Sequence, residues 1–277
     1  MKKKIDHSQK KILAEYLLAM ADDEMVLGQR DSEWCGHAPI LEEDIAFANI
    51  ALDEIGHASA WYGLLAELIG EDPDSYPDRL VFFRPAEDYR NLQMVELPKG
   101  DWAFSVLRQY LFDAWEQFHL EALSASQYGP MAEVASKIIK EELYHIRHTR
   151  TWVRRLGLGT EESRRRMQQA LEQLWPLTRQ FFLPSNDSEA LLAEGYLPRP
   201  ESLKPAWEES VRGHLRESGL ENPAGESIVL GLNIYTNSGS PDSSAEEVLG
   251  REQHSRHLAL LLAELQSVAR LEPEAEW

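Results

Sequence analysis

Apolar positions recur with a helical period along most of the chain, and within the first 157 residues they mark out four long segments. These run from about Ser8 to Arg30, Leu41 to Ile69, Asp101 to Ser126 and Met131 to Leu156. Each is longer than a typical globular helix, which favours a bundle. The first two are separated by the short break Gly36-His37-Ala38-Pro39 and the last two by Gly129-Pro130, so each pair is expected to fold as an antiparallel hairpin. Between the hairpins, Glu71 to Gly100 is a long crossover rich in proline, aspartate and aromatics, the connectivity of ferritin-like bundles. Beyond Gly157 the pattern predicts a helix from Glu161 to Phe182 broken or kinked at Pro176, and a shorter one from Pro205 to Glu217. A loop comes next over Glu221 to Ser244, then a final amphipathic helix from about Ala245 to Arg270. The expected fold class is all-α: a four-helix bundle in residues 1–157 and a helical extension in 158–277 packed on it as one domain.

The stripes carry an anomaly. In the second helix Phe47, Ala51, Glu54, Ala58, Trp61, Leu65 and Leu68 recur at spacings of four and three, so a glutamate lies in the middle of the core face. The fourth repeats this with Ala135, Ile138, Glu142, His145, Thr149, Trp152 and Leu156. The first has Leu13, Leu17, Met20, Glu24 and Leu27, and the third Phe112, Glu116, His119 and Leu123. Glu54 and His57, like Glu142 and His145, form Glu-x-x-His pairs, which put a carboxylate and an imidazole one turn apart on one helix face. Residues equally far from a hairpin turn lie side by side. Glu24 and Glu54 are centred on Pro39, and Glu116 and Glu142 on Gly129. The two turn-to-ligand distances differ by two residues, about 3 Å of helix rise, so all four glutamates can meet at one level.

Any one of these glutamates alone would ordinarily be solvated surface. Buried together they repel, at several kcal/mol each if left ionised and unpaired. Two divalent cations balance four carboxylates with two neutral imidazoles, and this donor mixture suits iron or manganese better than zinc. Glu24, Glu54, His57, Glu116, Glu142 and His145 are therefore the candidate metal ligands, in the arrangement of di-iron carboxylate bundles. His119 makes a third Glu-x-x-His with Glu116 but breaks that arrangement, and reads as an outer residue or surface. Asp23, Asp53, Asp113 and Glu141 adjoin the ligands and are candidates for orienting the histidines from outside. His254 and His257 share a face of the expected last helix without carboxylates nearby, and Cys35 reads as a small packing residue.

Composition narrows the function. A net charge of −19 disfavours nucleic acid and anionic lipid as partners. One cysteine, Cys35, cannot form an internal disulfide and fits a reducing compartment. The segment after Met1-Lys2-Lys3-Lys4 lacks the apolar run of a signal sequence, and no stretch reaches membrane-span length, so a soluble cytoplasmic protein is expected. No nucleotide-cofactor fingerprint is present.

Gly28-Gln29-Arg30 and the run Ser32-Glu33-Trp34-Cys35-Gly36-His37-Ala38-Pro39 resemble the C-type subunit of bacterial phenylacetyl-CoA epoxidase, a multicomponent ring oxygenase of the ferritin-like superfamily. The resemblance extends through Asp44 to Asp53, Asn91-Leu92 with Val95-Glu96, Phe112-Asp113-Ala114-Trp115, Gly159-Thr160-Glu161 and His254 to Gln266, nearly the whole chain. It implies a role in phenylacetate catabolism as a di-iron monooxygenase component acting on a CoA-thioester substrate. It also implies association with a similar helical oxygenase subunit, with electrons from a separate reductase. In the familiar C-type subunits the ligand positions hold non-ligands, and these subunits are structural partners of a catalytic A-type subunit. Here all six positions carry ligands, so a metal-bearing, catalytic relative with two iron ions, or manganese, is expected. The alternatives are a non-catalytic member of that complex and a ferritin-like di-iron oxidase or iron-handling protein.

Overall fold

The computed structural model describes residues 5–184, 187–223 and 250–273. Its centre is two long hairpins. Helix α1 (His7–Ser32) pairs with α2 (Leu41–Ile69). The crossover contains α3 (Tyr76–Phe83), a 3-10 turn at Ala86–Asp88 and the single turn α4 (Gln93–Glu96). Helix α5 (Trp102–Ser124) then pairs with α6 (Gly129–Gly157), and α2 packs against α6 to close the bundle. The ends have local causes. Asp6 accepts from the Gln9 amide at 2.9 Å while the Gln9 side chain accepts from the Asp6 amide, a reciprocal cap that starts α1. Gly70, at φ 87°, ends α2 in the left-handed conformation glycine adopts without strain. Asp101 caps α5 through the Phe104 amide, and Pro130 sits in the first turn of α6, where no amide donor is needed.

The crossover is strapped to α1 by charge. Asp22, fully buried, takes Arg84 Nη2 at 2.5 Å, the Tyr62 hydroxyl at 2.5 Å and the Arg90 amide at 2.8 Å. Asp23 beside it accepts from the Leu92 amide at 2.6 Å and Arg251 Nη1 at 2.8 Å, and Arg30 donates to the Glu96 carbonyl at 2.7 Å. These bonds fix the α1 segment that contains Glu24.

The C-terminal part keeps the expected plan with two changes. Helix α7 (Glu161–Leu174) ends just before Trp175-Pro176 and continues as a 3-10 segment, Trp175–Phe182, as the proline requires. Phe181 stacks on Trp115 of α5 at 5.1 Å, packing this segment on the bundle. The short α8 (Glu189–Ala193) precedes α9 (Pro200–Glu217), which starts five residues before the predicted Pro205. Pro200 occupies the first turn and Pro205 is carried inside. The last helix is shorter than the pattern predicts: α10 spans Arg256–Leu265, and α11, Ser267–Leu271, comes after it. Residues 250–255 are not helical because their polar groups are committed elsewhere. Glu96 accepts from the Ser255 amide at 2.7 Å and lies 2.5 Å from His254 Nδ1. The break at Gln266 has a similar cause, since its side chain donates to the Val81 and Arg84 carbonyls. Of the expected loop, residues 221–223 are non-helical and the rest lies outside the described residues, as does the stretch 245–249. Among the described residues no strand occurs and no helix is long and apolar enough to cross a membrane.

One glycine sets the spacing of the first hairpin. A Cβ on Gly28 would lie 3.0 Å from the Ala51 carbonyl oxygen, from Glu54 Cβ and from Ile55 Cγ1. Gly28→Val is therefore expected to lose roughly 1–3 kcal/mol through overpacking, although removing a mid-helix glycine normally stabilises. Urea unfolding of the variant with an undiminished midpoint would contradict this close approach.

Candidate metal centre

All six candidate ligands are buried, none more than 3% exposed. Glu24 comes from α1, Glu54 and His57 from α2, Glu116 from α5, and Glu142 and His145 from α6. Donor atoms of Glu24, Glu54 and His57 lie within 4.8 Å of one another, and so do those of Glu54, Glu142 and His145. Glu54 is common to both groups. His57 Nδ1 is 3.9 Å from both Glu24 Oε2 and Glu54 Oε2, and His145 Nδ1 is 2.7 Å from Glu142 Oε1 and 3.5 Å from Glu54 Oε1. The two rings are 6.0 Å apart. Glu116 is fully buried and adjoins Glu24, outside either triad.

Both histidines are held the same way. Each turns Nδ1 to the cluster and Nε2 to a carboxylate at the outer α2–α6 seam: His57 to Glu141 at 2.7 Å, His145 to Asp53 at 3.2 Å. A carboxylate accepting from Nε2–H leaves Nδ1 with its lone pair inward, the tautomer a metal needs. The partnerships cross over, because Asp53 lies on α2 and serves the histidine of α6 while Glu141 does the reverse.

The inner atoms lack hydrogen-bond partners. Both oxygens of Glu24, Glu116 and Glu142, Oε2 of Glu54, and Nδ1 of His57 and His145 are buried without one. Orphaning a buried polar atom costs about 1–3 kcal/mol, more when charged. Nine such atoms within one cluster of six side chains, with the outer atoms of the same imidazoles satisfied, fit a site completed by cations. With no cation, protons must share the charge. Burial pushes the Glu24 and Glu116 carboxyls well above the ordinary range, and the adjoining Glu54 and Glu24 carboxylates respectively push the same way. Burial also acts to raise Glu54, but its contacts with Glu24, His145 and His57 outweigh it and hold it well below. For His57, burial lowers the pKa and the surrounding carboxylates, Glu54 foremost, raise it to about 9. His145 moves upward for the same reason, with Glu142 the largest contributor.

Of the four outer candidates, Asp53 and Glu141 touch the histidines and the other two do not. Asp23 faces the crossover. Asp113 accepts from Gln109 Nε2 at 2.7 Å and Thr149 Oγ1 at 2.7 Å, and the same Gln109 amide nitrogen reaches Glu54 Oε1 at 2.5 Å. Gln109 thus ties the shared carboxylate to α5 and, through Asp113, to α6. In the sequence pattern it is only a polar residue seven positions before Glu116. Asp31 and Arg108, both fully buried and 3.3 Å apart, are likewise unmarked by that pattern. His119 is an outer residue rather than surface, buried against Trp115 with Nε2 on the Tyr16 hydroxyl. His254 corrects the sequence reading: it precedes the last helix, and its ring bridges Glu96 and the Tyr89 carbonyl at 2.5 and 2.8 Å.

Divalent metal must displace the protons that Glu24, Glu116, His57 and His145 retain above their ordinary ranges. Apparent affinity is therefore expected to rise with pH through neutrality, by about tenfold per pH unit for each proton displaced. Titration calorimetry of Mn(II) into metal-free protein at pH 7, in two buffers of different ionisation enthalpy, should reveal proton release. Equal heats in both buffers would contradict it.

Comparison with known proteins agrees with this architecture. The sequence profile described as Phenylacetic acid catabolic protein matches residues 1–277. The chain is 37% identical over 265 residues to the C subunit of 1,2-phenylacetyl-CoA epoxidase from Escherichia coli (strain K12), covering 96% of this chain and 99% of the relative. It is also 24% identical over 225 residues to the A subunit of the same enzyme, covering 81% of this chain and 69% of the relative. With its whole length matched and a helical bundle as its fold, this chain belongs to the phenylacetic acid catabolic protein family.

Proposed function

We propose that this chain is a metal-bearing subunit of a multicomponent oxygenase that acts on phenylacetyl-CoA in phenylacetate catabolism. The observation that carries the reading is the pair of buried triads sharing Glu54, whose inner oxygen and nitrogen atoms lack hydrogen-bond partners. Two iron ions are the expected occupants, one held by Glu24, Glu54 and His57 and the other by Glu54, Glu142 and His145, with Glu116 completing the set beside Glu24. Manganese fits the same donors. The similarity to two different chains of one named epoxidase supports a helical companion, and the resemblance supports a separate reductase and a CoA-thioester substrate.

Bound iron in such a cage supplies activation of dioxygen for insertion of one oxygen atom into the aromatic ring. The chain's own residues prepare for it. Asp53 and Glu141 keep the proton on Nε2 of each imidazole, Gln109 orients Glu54 through its amide, and the buried bundle excludes water. A second reading, a structural role beside a catalytic companion, is favoured by the greater identity to the epoxidase's C subunit than to its A subunit.

The protein prepared anaerobically with Fe(II) is expected to bind about two ions per chain, following the di-iron arithmetic of paired Glu-x-x-His helices. Glu54→Ala, which removes the shared carboxylate, should bind none stably. Elemental analysis finding no iron in the wild type would reject the metal-bearing reading. To separate the two roles, the chain is reconstituted with reductase and companion, the companion's own metal site being disabled. Product from phenylacetyl-CoA that disappears with Glu142→Ala is the expected result. Product that requires the companion's site and ignores Glu142→Ala would assign the structural role.

A further inference from the structure

The sequence carries three Glu-x-x-His pairs, and the candidate metal centre takes its imidazoles from two of them. The third joins Glu116 to His119 on α5. His119 is buried, 6% exposed, and its two nitrogens differ. Nε2 meets the Tyr16 hydroxyl of α1, while Nδ1 finds no hydrogen-bond partner among the described residues. Burial, reinforced by the charge of Arg251, holds the pKa of His119 down to about 3, and burial pushes the Tyr16 hydroxyl upward. At neutral pH the pair is therefore uncharged: a phenol beside an imidazole with one N–H and one lone pair.

Tyr16 and His119 line a cavity between α1, α5, α9 and the 3-10 segment. Its inner end is the buried Met20, Trp115 and His119, and its mouth the half-buried Leu183, Leu203 and Arg251. Met20 lies one turn before Glu24, and His119 one turn after Glu116 on the same helix face. The inner end is thus one helical turn from the Glu24 and Glu116 side of the centre. The cavity, about 40 Å³, has room for about two or three waters at roughly 10–15 Å³ each, and none for an aromatic ring, which occupies cavities on the order of 150 Å³.

Reduction of dioxygen so that one oxygen atom enters a ring and the other leaves as water consumes two protons along with two electrons. The ligand histidines are unsuited to carry them. Nδ1 of each faces the cluster, and Nε2–H must stay in place on Glu141 or Asp53 to keep it so. An imidazole that relays a proton needs both nitrogens free of metal, and His119 has both free.

We propose that Tyr16 and His119 pass protons from water in this cavity to the Glu24 and Glu116 side of the metal centre. The inference rests on the metal-bearing reading and adds the route by which the centre draws protons from solvent. The bonds balance without electron transfer. Tyr16 O–H breaks as Nε2–H forms, and Nδ1–H breaks as its proton passes toward Glu116, both of whose oxygens lack partners. A cavity water reprotonates the Tyr16 oxygen and is itself reprotonated from bulk solvent at the mouth. A half-turn of the imidazole then restores the first tautomer.

The test follows the ring N–H of His119 by NMR in metal-free, full-length protein with isotope-labelled histidine after transfer to D2O, the signal being assigned by its loss in His119→Ala. In the wild type this buried N–H should exchange well ahead of the buried backbone amides of α5, and Tyr16→Phe should slow it about tenfold or more. In the complex reconstituted with reductase and companion, the companion's site disabled, His119→Ala should keep its iron. It should form product about a hundredfold more slowly and recover when imidazole is added. Ring exchange as slow as the α5 amides, or indifferent to Tyr16→Phe, would overturn the relay and leave the metal-bearing reading intact. Iron-loaded His119→Ala that turns over like the wild type would overturn the destination of the path. A wild type that exchanges as expected but binds no iron would overturn the metal-bearing reading and the destination together.

Discussion

Four carboxylates and two imidazoles at one dry level of a bundle cannot all remain charged and unpaired, since each uncompensated ion there costs several kcal/mol. That constraint organises the molecule. In the absence of cations it is met by protons, held on Glu24 and Glu116 by burial and repulsion and on the histidines by the surrounding carboxylates. The nine inner oxygen and nitrogen atoms of these side chains bond nothing outside the cluster. Two divalent cations would satisfy the same atoms and balance their charge, which is why the arrangement reads as a metal cage rather than as an ion-pair network.

The surrounding structure holds that cage in place. Asp22 and Asp23, the two residues before Glu24, are bonded to the crossover by Arg84 and the Arg90 and Leu92 amides and to the C-terminal segment by Arg251, so α1 cannot rotate without breaking buried polar contacts. Gly28 lets α1 come close to α2 at Glu54. Gln109, Asp113 and Thr149 connect Glu54 to the second hairpin, and Asp53 and Glu141 join the two Glu-x-x-His helices across their seam. The candidate ligands are thus positioned by bonds that tie their helices to neighbouring elements, as a site of fixed geometry requires.

Much of this is legible in the sequence because helical periodicity is local. A glutamate in an apolar stripe, repeated at mirrored distances from two turns, can be read without knowing the tertiary fold, and Glu24, Glu54, Glu142 and their histidines lie where that symmetry implies. Glu116 is buried beside Glu24 but lies outside the triads, which spacing does not encode. Periodicity cannot reveal contacts made across the fold. Gln109 looks like any polar residue until Glu54 is seen beside it. His254 looks bland because its carboxylate, Glu96, lies 158 positions away in sequence. The same long-range bonds shorten the last helix, since Ser255 and Gln266 hydrogen-bond the crossover in place of continuing it.

The central claim is that the buried cluster exists to hold two cations at defined places. Anomalous diffraction from crystals grown with Fe(II), collected on both sides of the iron absorption edge, tests it most directly. The account predicts two peaks inside the bundle, one among Glu24, Glu54 and His57 and one among Glu54, Glu142 and His145, with Glu54 adjoining both. Absence of any peak in the bundle, with iron confined to exposed carboxylates, would contradict it.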